Sequence, residues 1–115
     1  MPDTTTIEAF LDVDIRVGRV IRAEEFPRAR KPAYKLWIDF GELGIHRSSA
    51  QITDLYTVGE LKDRLALVLA VVNLPPRQVA DLVSEVLVLG VPTDSGGSVV
   101  LVGPDRAISP GLRLL

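Results

Sequence analysis

From Tyr34 to Phe40 the sequence reads YKLWIDF, and its side chains alternate: Tyr34, Leu36, Ile38 and Phe40 on one face, Lys35, Trp37 and Asp39 on the other. Successive side chains of an extended chain point to opposite faces, so a period of two predicts a strand with one face buried. Asp14 to Phe26 (DIRVGRVIRAEEF) alternates apolar and basic residues in the same way, but its phase changes after Gly18, where Val20 and Ile21 are adjacent. A glycine at a change of phase predicts a bulge or sharp bend. A long first strand bent there is what a small barrel needs to turn its corner.

The remaining elements follow in order. Thr5 and Glu8 have capping-box spacing before a short apolar helix at Ala9–Leu11, which is too short to stand without docking. PRARKPA (residues 27–33) is a basic loop closed by prolines, GELG (41–44) a turn, and residues 45–50 a third strand. Residues 52–63 carry a weak helical signal interrupted by Gly59. Leu65 to Val72 is a continuous apolar run of eight residues, suited to a strand buried on both faces and ended by Pro75-Pro76. Residues 85–91 form another apolar strand, 92–97 a turn, 98–102 a last strand and 104–111 an extended tail. Five core strands, a terminal strand and a possible helix after the third strand match a mostly β, five-stranded Greek-key OB-fold barrel with short helices and terminal extensions. An SH3-like barrel is the second compatible arrangement.

With 115 residues the expectation is one domain, spanning 1–115. Aromatics are only 5% of the chain, so the core is expected to be built from Val, Leu and Ile. There is no cysteine, which excludes disulfides and thiol catalysis and is compatible with a reducing cytoplasm. No apolar run approaches the roughly 20 residues of a membrane helix, and the N-terminus lacks a secretory signal. The expectation is a cytoplasmic protein with no membrane insertion.

Net charge is −2, yet residues 16–35 hold seven basic side chains (Arg16, Arg19, Arg22, Arg28, Arg30, Lys31, Lys35) against Glu24 and Glu25. Such a patch can bind polyanions despite an acidic whole, or be a solvated strand face. The lone His46 has no second His or Cys for a metal site, and no phosphate-loop, dinucleotide or nucleophile-elbow motif occurs. His46 and Ser48 on one strand face lack an orienting carboxylate, so strand hydroxyls facing a groove are the simpler reading. No enzyme, no cofactor and no metal are expected.

Three segments carry a resemblance: Asp14-Ile15-Arg16-Val17-Gly18, Arg47-Ser48-Ser49-Ala50-Gln51-Ile52-Thr53, and Asn73 to Gly90 (NLPPRQVADLVSEVLVLG). Together they resemble the CsaA family, a branch of the tRNA-binding OB domains that is similar to the C-terminal extension of bacterial methionyl-tRNA synthetase. The resemblance implies a homodimer and a chaperone role in protein export, binding unfolded or export-bound polypeptides, with tRNA as the alternative partner. Asp81 stands where the broader tRNA-binding group carries glycine, and Val86-Leu87 where that group commonly carries Gly-Met.

Residues and resemblance converge on the face of strands two and three and the loop after strand four. The candidate ligand-facing residues are Arg16, Lys35, Trp37, Arg47, Ser49, Asn73, Arg77, Ser84 and Glu85. The cations would meet phosphates or acidic side chains, and Trp37 would stack on a base, pack on an apolar side chain or lie under a dimer contact. Asn73 and Ser84 could instead satisfy backbone groups at strand ends, and Glu85 could pair with Arg77.

Overall fold

A computed structural model describes residues 1–63 and 66–115. Helix α1 (Ile7–Leu11) leads into strand β1 (Ile15–Glu25), which pairs with β2 (Tyr34–Asp39), and β2 with β3 (Ile45–Ala50). Helix α2 (Val58–Asp63) precedes β4 (Leu67–Val71), then a hairpin of β5 (Arg77–Val79) and β6 (Leu82–Ser84). Strand β7 (Leu87–Val88) joins β4, and β8 (Gly90–Pro92) pairs with β9 (Val99–Leu101). The main sheet has the order β3-β2-β1-β4-β7, antiparallel throughout. Its far edges meet where the Glu85 N–H donates to the Arg47 carbonyl at 2.8 Å. This is the nearly closed five-stranded OB barrel expected, with its helix after the third strand.

Alternation in β2 is carried through without a fault: Tyr34, Leu36 and Ile38 are buried, and Phe40 beyond the strand end is fully buried. They form the main core with Val20, Leu61, Val68 and Val86. Strand β1 serves two neighbours, Ile15–Arg19 pairing with β4 and Arg19–Glu25 with β2. The register shift falls between Val20 and Arg22, at Ile21, and not at Gly18. Gly18 does different work. A Cβ there would sit 2.7 Å from Phe40 Cε1 and closer still to Ile38 Cγ2, so the absent side chain lets β1 cross directly over the core.

Several expectations are corrected. Thr6, not Thr5, caps α1, its Oγ1 accepting from Ala9 N at 3.1 Å. With Thr6 as cap the third helical residue is Ala9, so Glu8 closes no capping box. The capping box is at α2: Thr57 N donates to Glu60 Oε1 at 2.8 Å and Glu60 N to Thr57 Oγ1 at 3.1 Å. It starts a helix that runs through Gly59 instead of breaking there. The apolar run forms a strand from Leu67, while its beginning at Leu65 lies outside the described residues. The strand expected over residues 85–91 is split at Leu89, whose N–H donates to Leu69 and whose carbonyl accepts from Val102. Ser48 faces the core at 1% exposure rather than a groove.

The C-terminal tail is more than an appendage. Arg113 bridges to Arg16, and Gly111, Leu112 and Leu114 exchange backbone hydrogen bonds with Ile15 and Val17. Gly111 has φ of +93°, and a Cβ would strike the Phe40 carbonyl oxygen, so only glycine brings the tail onto β1 at this point.

Candidate ligand-binding face

On the outer face of the barrel the register of β1, β2 and β3 sets side chains in rows. Arg22, Trp37 and Arg47 form one row, and Glu24, Lys35 and Ser49 the next. The Arg22 guanidinium lies 4.5 Å from the centre of the Trp37 ring and also bonds Glu24 through Nε at 2.7 Å. Trp37 is therefore half-buried under a cation, with a favourable cation–π contact on its face. Lys35 extends over the Phe26 ring at 4.9 Å and reaches Asp81 Oδ1 at 4.0 Å. The anion at the hairpin tip thus partly occupies this cation.

Glu85 is a clasp. Its carboxylate accepts from the Arg47 backbone N–H at 3.0 Å, from Arg47 Nε at 3.4 Å and lies 3.3 Å from His46 Nδ1. It makes no pair with Arg77, because Arg77 lies across the hairpin from Ser84 while Glu85 turns back onto β3. Partial burial pushes the Glu85 carboxyl up, but the Arg47 N–H, His46 and the Arg47 side chain outweigh it and hold it below its ordinary value of 4.5. Ser84 Oγ accepts from Ser49 N at 3.2 Å. Both residues therefore help close the barrel.

Asn73 and Arg16 hold the chain ends. Asn73 Oδ1 accepts from Asp14 N at 2.9 Å and its Nδ2 donates to the Asp12 carbonyl at 2.8 Å, fastening the segment after α1. Arg16 donates to both Asp14 oxygens, at 2.7 and 3.1 Å, and to the Gly111 carbonyl at 3.0 Å. Those bonds hold the Asp14 carboxyl below the usual carboxylate range, against a smaller opposing effect of burial. The nine candidates are thus not one cluster. Arg16 and Asn73 sit at the terminal seam, Glu85 and Ser84 at the barrel closure, and Lys35, Trp37 and Arg47 on the outer face.

Two clefts flank this closure. One, of about 420 Å³, is lined by the apolar Leu43, Leu74 and Pro76 together with His46, Asn73 and Glu85. The other, of about 760 Å³, lies between the basic loop, the end of β3 and the β5–β6 hairpin. Ser49 and Arg77 line it as candidates, joined by Arg30, Lys31, Gln51 and Gln78. The basic loop was legible in the sequence, but the opposite wall was not. Two-residue hairpin turns are signalled by Gly or Asn, and here Ala80 takes the left-handed position at φ of 49°.

The clasp gives a pH-dependent expectation. A carboxyl depressed on folding contributes stability above its unfolded value near 4.5, lost as pH falls through the lower folded value. Glu85→Gln, which keeps the shape and loses the charge, should cost about 1 kcal/mol at pH 7. The difference from wild type should shrink progressively as pH falls below about 4.5. Urea unfolding at pH 7 and at a series of more acid pH values checks this, and a pH-independent difference would rule out the charge as the cause.

Residues 15–113 match the model of the family described as "Putative tRNA binding domain". The fold is similar to the crystal structure of chaperone CsaA from Bacillus anthracis, with a TM-score of 0.90 and 46% identity, covering 98% of this chain and 100% of that one. It is similar also to the CsaA chaperone protein of Picrophilus torridus, with a TM-score of 0.88 and 44% identity over 97% of this chain and 100% of the other. Among curated relatives, the methionine–tRNA ligase of Nitrosomonas europaea is 34% identical over 112 residues, 97% of this chain and 15% of the ligase. The chain thus spans about a seventh of the length of that relative.

Proposed function

Since the chain belongs to the tRNA-binding domain family, we propose that it works as a CsaA-like chaperone, a cytoplasmic homodimer that holds unfolded or export-bound polypeptides and catalyses nothing. One observation carries this reading: both chain ends present apolar side chains to solvent at one seam. Ile7 is 64% exposed, Leu11 47% and Leu112 52%. Arg113 Nη2 donates to the Leu11 carbonyl at 2.7 Å, so the end of helix α1 and the tail are fastened to one another. Exposed apolar surface at a fixed, hydrogen-bonded seam suits a protein contact better than random exposure. The full-length match to CsaA structures supports the same reading, with residues 1–115 acting as one binding unit.

In the test, an unfolded client is diluted into buffer with the protein and light scattering is followed. Aggregation should be suppressed with little dependence on salt, and no protection at several-fold molar excess would sink the chaperone role. Sedimentation should give a dimer at micromolar concentration, converted to monomer by Leu112→Asp.

A second reading, tRNA binding, is favoured by the larger cleft. Among the described residues Arg30, Lys31 and Arg77 form no ion pair, so their charge is available to phosphates. Neutralising about three phosphates with these side chains gives a log–log salt slope near −2 to −3 in a tRNA titration. A flat response would exclude it. The family model supports this reading, and Asp81 against Lys35 works in the opposite direction.

A further inference from the structure

Neither end of the chain is held by burial. Helix α1 has five residues and none of them is buried, and Leu112 to Leu115 are all exposed. A helix of that length has no stability of its own, and a tail without buried side chains gains little from the hydrophobic effect. Polar contacts fix both ends, and one carboxylate is common to them. Asp14 accepts from Arg16 Nε at 2.7 Å and Nη2 at 3.1 Å, and Arg113 Nε lies 3.5 Å from the same Oδ1 that takes Arg16 Nε. Each arginine then reaches on to a backbone carbonyl, Arg16 Nη1 to Gly111 at 3.0 Å and Arg113 Nη2 to Leu11 at 2.7 Å. Arg16, on β1, thus ties down the tail, while Arg113, in the tail, ties down the end of α1. Asn73 completes the N-terminal half through its bonds to Asp14 N and the Asp12 carbonyl.

Contacts that share one acceptor are not independent. When the tail lifts, Arg113 leaves Asp14 and Leu11 together, and α1 loses its link to the tail. When the segment after α1 moves, both arginines lose the anion that orients them, and the Gly111 carbonyl loses its donor with them. Charge-assisted bonds in such a network support one another beyond their pairwise sum. We propose that helix α1 and the C-terminal tail form one strap across the early half of β1, latched on the Asp14 carboxylate, and that both open and close together as a single local unit. The barrel lies outside this unit, because Ile15 to Arg19 are paired with β4 whether or not the tail is seated. Opening frees the Val17 N–H, the Val17 carbonyl and the Ile15 carbonyl, which bond Leu112, Gly111 and Leu114 at 2.9, 2.7 and 2.8 Å when the strap is closed. Segments with few buried contacts open at the low end of a protein's range of local stabilities. This device is independent of which ligand the protein binds.

The test is amide hydrogen exchange of the full chain, followed residue by residue by NMR, with the substitution at one end and the readout at the other. Arg113→Ala should speed exchange of the Val13 and Asp14 amides about ten-fold, as the loss of a charge-assisted bond implies. Asn73→Ala, whose lost hydrogen bonds both belong to the N-terminal segment, should speed the Gly111 and Leu114 amides by a similar factor. Asp14→Asn should speed both groups together. In all three proteins the Leu69 and Leu89 amides, bonded within the barrel, should exchange as in wild type. An Arg113→Ala protein with unchanged Val13 and Asp14 amides, or an Asn73→Ala protein with an unchanged tail, would show that the ends move separately and would overturn the strap. Equal acceleration of the Leu69 amide would overturn it as well, since the ends would then open only with the whole barrel. Should Asp14→Asn fail to fold, the other two substitutions decide the matter.

Discussion

Leu61→Ala is expected to lower the unfolding free energy by about 3 kcal/mol, within the range of roughly 2–5 for a fully buried leucine. Leu61 has 0% exposure and is the one buried residue of α2, a six-residue helix capped by Thr57 and Glu60. A helix that short has no stability of its own and persists because it is docked. Truncation therefore leaves a cavity in the main core and weakens the attachment of the whole helix against β1. The midpoint of thermal unfolding should fall by roughly 10 °C or more for a chain of this size. A fall of less than about 3 °C would mean that the barrel closes without its helix.

Gly18→Val should cost about as much, roughly 3 kcal/mol, for the opposite reason. Here nothing is removed. Side-chain atoms are forced into space held by Ile38 and Phe40, both fully buried, with the nearest Phe40 carbon 2.7 Å from the added Cβ. Overpacking of a closed core costs about 1–3 kcal/mol, and a valine adds two methyl groups beyond the first clash. Gly59→Ala is the matched control, since no heavy atom lies within 4 Å of its added Cβ in an exposed helical position. That substitution should stabilise by about 0.5–1 kcal/mol. Urea midpoints of the three proteins, with unchanged slopes, decide the matter, and equal midpoints for Gly18→Val and wild type would refute the close crossing of β1 over the core.

The barrel was legible because alternation is a direct record of which face is buried, and β2 keeps its period without interruption. The position of the bulge was not. Gly18 and Ile21 both mark a break in phase, and only the path of β1 over Phe40 shows that the glycine serves contact while the isoleucine is the extra residue. The cationic loop was visible as composition, but its partner wall depends on a hairpin turned at Ala80, which carries no turn signal. The nine candidates, read as facing a ligand from strands two and three and the loop after strand four, lie in separate places on the barrel. Glu85, Ser84 and Asn73 spend their hydrogen bonds on the fold, because the same positions that border a groove are those where strand ends leave backbone groups unpaired. A sequence displays the polar residue and not the partner that takes it.

The pairing of Gly111–Leu114 with Ile15–Val17 sets a schedule for biosynthesis. The early half of β1 is flanked on one side by β4 and on the other by a segment that lies 95 positions later in the chain, counted from Arg16 to Gly111. Until the tail emerges, the early half of β1 keeps an open row of backbone donors and acceptors, a surface on which other chains can add. Synthesis proceeds at about 5–20 residues per second, so the two pairing segments are made several seconds or more apart. The barrel is therefore sealed only once this late segment has been made, and a chain cut before Gly111 would leave the early half of β1 unguarded.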